Sequence, residues 1–129
     1  MSEFRLEGES FQILLTKSQK LDQNTAHNYV VSEDCGAVVT FHGTTRNASK
    51  DGKECIQLDY SAYPEMALKQ LSRIIEASRE KYNLHKVAVF HHLGSVPPLE
   101  SGVIGKCLLD GLRSDFNVKF INSVGLVKT

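Results

Sequence analysis

Between Pro64 and Tyr82 the apolar or small residues fall at Ala67, Leu71, Ile74, Ile75, Ser78 and Tyr82. Steps of three and four put them on one stripe of an α-helix. Proline suits the first turn, where its missing N–H is not needed, and Asn83 is placed to end the helix. Glu65 and Lys69 stand four apart on the outer face, in the favourable order. A helix with a single apolar stripe must lie on something, and the flanking sequence supplies a sheet. Residues 36–42 (GAVVTFH) and 86–92 (KVAVFHH) are β-favouring runs. The first is apolar enough for a strand covered on both faces. A helix interleaved with strands gives an α+β fold, and 129 residues suit one domain, 1–129.

The rest of the chain fits this frame. Residues 11–16 (FQILLT) form a short strand and residues 21–31 a helix, with Ser32-Glu33-Asp34 as a polar break. Residues 55–63 alternate, with Ile56, Leu58, Tyr60 and Ala62 on one face and Gln57, Asp59 and Ser61 on the other. That half-buried strand is expected to pair antiparallel with residues 36–42 across a long loop containing Asp51-Gly52, a turn-forming dipeptide. Residues 102–109 form a further strand, although Gly105 weakens it. Residues 117–127 alternate imperfectly, as a terminal strand would.

Charge narrows the partners. Fifteen basic residues balance fifteen acidic ones, whereas nucleic-acid and membrane-surface binders usually carry a basic excess. Neither partner is expected. A small anion held by a few local cations remains compatible with neutrality. Cys35, Cys55 and Cys107 contain no C-x-x-C pair, so no zinc knuckle or dithiol redox site is written here. Lacking a disulfide framework or an apolar leader, the chain is expected in the cytoplasm.

One loop concentrates polar chemistry. After the strand at 36–42, Gly43 lets the backbone turn, and Thr44, Thr45, Arg46 and Asn47 follow at once. A guanidinium is the side chain best shaped for bidentate contact with phosphate or carboxylate, and flanking hydroxyls complete an oxygen shell. Lys50 and Lys53 add positive charge nearby. A solvated hairpin loop is the plainer reading of the same residues. His91 and His92 are neighbours on a strand, so they face opposite sides and cannot share a metal. His42, one strand away, could approach either, but no carboxylate or thiol stands at ligand spacing. No metal is expected. Cys107 sits in an apolar run, as a small buried side chain does. Lys106 and Lys119 lie in mixed apolar stretches. Each is either a lysine of lowered pKa, able to act as base or nucleophile, or a snorkelling side chain at a strand edge.

The string 35–47 (CGAVVTFHGTTRN) resembles the opening signature of the catalytic (large) subunit family of molybdopterin synthase. The resemblance continues through 58–66 (LDYSAYPEM), the following helix and 87–97 (VAVFHHLGSVP), covering about residues 35–104. It implies an α/β hammerhead-like α+β domain that dimerises. It also implies sulfur transfer to cyclic pyranopterin monophosphate, giving molybdopterin. The sulfur would come from the C-terminal thiocarboxylate of a small ubiquitin-like subunit, two of which complete a heterotetramer. No cofactor is implied. Thr44, Thr45 and Arg46 match a family segment of the pterin-phosphate pocket. Residues 105–129 depart from the family: its His-Arg pair, long helix, catalytic lysine and Trp-Lys segment are absent, so no catalytic residue is assigned. A non-catalytic binding or dimerisation module of the same pathway is the alternative.

Overall fold

The computed structural model describes residues 3–17, 20–46, 58–60 and 63–109, with backbone alone at 58–60. Among them run β1 (Glu3–Glu7), β2 (Phe11–Thr16), α1 (Gln23–Val30), β3 (Ala37–Thr44) and β4 (Leu58–Tyr60). After these come α2 (Pro64–Tyr82), β5 (Lys86–His92), β6 (Gly94–Val96) and β7 (Ser101–Leu109). Five strands form a mixed sheet in the order β1-β2-β5-β7-β3, while β4 and β6 form a separate antiparallel pair. Only β2 and β5 run parallel in the large sheet, and α1 and α2 both lie in the stretch of chain between them.

Each helix covers one face of the sheet. Successive strand residues point to opposite sides, so the odd-numbered Ile13, Leu15, Val87, Val89, Val103 and Cys107 pack with Leu71 and Ile75 of α2. The even-numbered Leu14, Ala88, Phe90, Ile104 and Leu108 pack with Ala26 and Val30 of α1. Strands β2, β5 and β7 are interior and covered twice, which explains their unbroken apolar runs. The α2 stripe is the one the spacing predicts: Leu71, Ile75 and Ser78 are buried, and Ala67 and Tyr82 pack against them. Asn83 ends the helix in the left-handed conformation (φ 54°), where asparagine is tolerated. Helix α1 starts at Asp22, whose carboxylate accepts from the Asn24 N–H at 2.9 Å and the Thr25 hydroxyl at 3.0 Å.

Among the described residues, which include 58–60 of the second segment, the expected pairing of residues 36–42 with 55–63 does not form. Strand β3 pairs with β7 instead, and β4 pairs with β6. Backbone hydrogen bonds are alike for every strand, so burial decides the order. Strand β7 is buried from Gly102 to Leu109 and must sit inside the sheet, where it takes β3 as its outer neighbour. For the same reason β3 is an edge strand, with Thr40 and Thr44 exposed, rather than one covered on both faces. Two strands were not expected: β1, whose Phe4 and Leu6 pack toward α2, and the three-residue β6. The expected terminal strand at 117–127 lies outside the described residues.

Candidate functional site

Strand β3 ends at the loop that sequence singles out. Its register against β7 shifts between Gly43, opposite Val103, and Thr44, opposite Ser101, so Gly102 is the extra residue of a bulge. The chain then runs beside a tight turn at residues 97–100, closed by Glu100 N–H donating to the Pro97 carbonyl at 3.3 Å. Thr45 is clamped there. Its N–H donates to the Glu100 carbonyl at 3.3 Å, and its carbonyl accepts from the Leu99 N–H at 3.1 Å. The Thr45 side chain is buried and its Oγ1 has no hydrogen-bond partner among the described residues. Thr44 and Arg46 are exposed. Of the three sequence-predicted site residues, two therefore present polar groups to solvent, and the middle one fastens the backbone. A cavity lined by Glu3, Phe4, Arg5 and Leu68 lies at the opposite edge of the sheet. Lys50 and Lys53 lie outside the described residues.

Farther back along the same β3–β7 ladder is a cluster that single residues could not announce. The His42 Nδ1 lies 3.4 Å from the Ser101 hydroxyl. The Lys106 Nζ donates to the Thr40 hydroxyl at 3.2 Å. Lys106 is not an edge lysine. It belongs to interior strand β7, is only 6% exposed, and runs its stem under cover to reach the edge residue Thr40. Burial lowers its pKa from the ordinary lysine value. His42 is lowered too, first by burial and then by the nearby Lys106 charge. Lys119 lies outside the described residues.

The other candidates resolve simply. His91 lies on the α2 side of β5, its Nδ1 2.8 Å from the His92 carbonyl, and His92 takes the α1 side. No group of three histidine, cysteine, aspartate or glutamate side chains could hold a metal among the described residues. Cys107 is fully buried, and burial pushes its thiol pKa up to about 12, so it stays protonated and inert. Cys35 is half-buried, and Cys55 lies outside the described residues. No helix among the described residues is long and apolar enough to cross a membrane.

Comparison with known families adds the decisive observation: the model of the MoaE protein family matches residues 16–105. The chain belongs to the MoaE family. The match runs from the end of β2 to the middle of β7, so it takes in Thr44, Thr45 and Arg46 and stops one residue before Lys106. A relative from Bos taurus, named molybdopterin synthase catalytic subunit, is 40% identical over 99 residues, 77% of this chain. The chain spans about half that relative's length, 52%. Among solved structures, molybdopterin synthase from Staphylococcus aureus superposes with a TM-score of 0.75 at 21% identity, over 88% of this chain and 80% of that one. A complex of subunits 1 and 2 of molybdopterin-converting factor from Helicobacter pylori gives 0.57 at 16% identity, over 78% of this chain and 63% of that one. At such identities the structures speak for the fold, which is the α+β architecture expected from sequence.

Proposed function

We propose that this MoaE-family chain acts in molybdenum cofactor biosynthesis as a molybdopterin synthase catalytic subunit. It transfers sulfur from the thiocarboxylate of a small ubiquitin-like subunit to cyclic pyranopterin monophosphate. The observation that carries this reading is the family match over residues 16–105, which takes in the end of β3 with Thr44 and the following Thr45 and Arg46. The name of the bovine relative supports the activity. The Helicobacter pylori complex supports a small-subunit partner, and a homodimer within a heterotetramer belongs to the same reading. The compartment proposed is the cytoplasm.

Within this reading the exposed Arg46 guanidinium holds the phosphate of the pterin substrate. Its planar fork pairs two donors with two phosphate oxygens. Thr44, the exposed last residue of β3, offers its hydroxyl next to that loop. Thr45 positions both by tying the backbone to the 97–100 turn through its N–H and carbonyl. No lysine is assigned to the acyl or proton step, because the match ends at Gly105.

The test is direct. Purified chain is mixed with thiocarboxylated small subunit and cyclic pyranopterin monophosphate, and molybdopterin is assayed. Product formation supports the reading. No product beside an active full-length relative overturns it, and capture of that relative without turnover would favour a non-catalytic module.

A further inference from the structure

The sheet face beneath α1 is apolar along its middle rows, with Leu14, Phe90 and Ile104 abreast and Ala88 beside Lys106. Toward the β3 edge this pattern breaks. Thr40 stands opposite Lys106, His42 opposite Ile104 and Thr44 opposite Ser101. Two nitrogen bases and three hydroxyls thus line one side of a two-strand ladder, four of these groups joined in pairs by the Lys106–Thr40 and His42–Ser101 contacts.

Among the described residues this cluster holds no negative charge. The ion pairs among the described residues join Arg5 to Glu3, Lys20 to Glu100 and Arg79 to Glu76, and none reaches Lys106 or His42. An ammonium withdrawn from water is costly unless it is paired, and the Thr40 hydroxyl supplies a dipole but no charge. One hydroxyl engages only one of its three donors. When the Ser101 hydroxyl donates to His42 Nδ1, the imidazole carries its own proton on Nε2 and becomes a donor as well. Among the described residues Thr40 is exposed, His42 and Ser101 are half-buried, and no strand pairs with the outer edge of β3.

We infer that Lys106, His42, Thr40 and Ser101 form an oxyanion site at the β3 edge, distinct from the Arg46 loop, that takes a phosphate or carboxylate group. The ligand's oxygens accept from the Lys106 ammonium, the Thr40 hydroxyl and the His42 Nε2–H, whose tautomer the Ser101 hydroxyl sets, and its charge balances the ammonium. This site goes beyond the proposed sulfur transfer, since Lys106 lies outside the family match. Neither inference requires the other.

The experiment follows the His42 imidazole by NMR in the full chain, with His42→Gln to assign its signals. Inorganic phosphate and acetate are titrated separately, against sodium chloride at equal ionic strength. A saturable response, at least tenfold weaker in Lys106→Met, is expected; the arm that binds more tightly identifies the group as phosphate or carboxylate. Thr40→Val, which keeps the lysine and changes only an exposed hydroxyl, should weaken the response severalfold. Arg46→Ala should leave it unchanged. Equal responses in wild type and Lys106→Met would overturn the inference. So would a response matched by chloride, no saturable response in either arm, or loss of the response in Arg46→Ala. Failure of synthase turnover with these titrations intact would count against the proposed function alone.

Discussion

Leu99 occupies a backbone conformation that suits glycine. Its φ is 73°, at the third position of a turn whose second residue is Pro98 and whose ends are joined by the Glu100-to-Pro97 hydrogen bond. That is the pattern of a type II turn, which calls for glycine or asparagine there. The side chain gives nothing back in burial, because Leu99 is 91% exposed. Replacing it by glycine removes left-handed strain of about 1–2 kcal/mol. The same change gives the unfolded chain more freedom, which costs about 0.4–1 kcal/mol. The balance predicts that Leu99→Gly stabilises the protein by about 0.5–1 kcal/mol, whereas Leu99→Ala, which keeps the strain, stays within about 0.5 kcal/mol of wild type. Urea unfolding followed by circular dichroism measures both, the expected change being a higher midpoint at constant slope. A Leu99→Gly protein no more stable than wild type, or a clear loss in Leu99→Ala, would refute the reasoning by showing that the leucine side chain is held by something. The position matters for the site, since the Leu99 N–H holds the Thr45 carbonyl.

Leu71→Ala, emptying a position 1% exposed between α2 and the sheet, should cost about 2–5 kcal/mol in the same urea assay. Arg46→Ala should weaken binding of cyclic pyranopterin monophosphate by about 1.5–3 kcal/mol, the scale of a charged hydrogen bond; isothermal titration calorimetry with unchanged affinity would remove the loop from the site. His42 has a lowered folded pKa, from burial first and Lys106 second, so protonation favours the unfolded chain. Its contribution is fully present above the ordinary histidine value and is lost as pH falls through the lowered one. Wild type should therefore lose more stability than His42→Gln between pH 7 and pH 5, measured by urea midpoints at matched ionic strength.

Local periodicity made much of the architecture legible. The stripe from Ala67 to Tyr82, Pro64 at its start and Asn83 at its end describe α2 without reference to anything else in the chain, because a helix closes its hydrogen bonds within itself. Strands β2, β5 and β7 showed as apolar runs for a similar reason: burial on two faces leaves no polar alternation. The stretch from Gly43 to Arg46, where β3 ends, stood out because a glycine followed by two hydroxyls and a guanidinium is chemistry rather than packing, and the resemblance around it agrees with the family to which the chain belongs. Strand β1 escaped because only Phe4 and Leu6 mark its inner face, among charged neighbours.

Which strand lies beside which could be settled only in three dimensions. A strand's donors and acceptors accept any partner, so the choice of β7 for β3, and of β6 for β4, follows from the competition to bury apolar faces across the whole molecule. The same competition takes Lys106 from the strand edge proposed for it to an interior strand and sets Thr40 opposite, fifty-nine or more residues separating the partners in each contact of that cluster. Residue order therefore determined the helices, the buried runs and the Arg46 loop, all of which depend on near neighbours. Register and strand order, set by long-range burial, decided that a lysine, a histidine and two hydroxyls meet on one edge of the sheet.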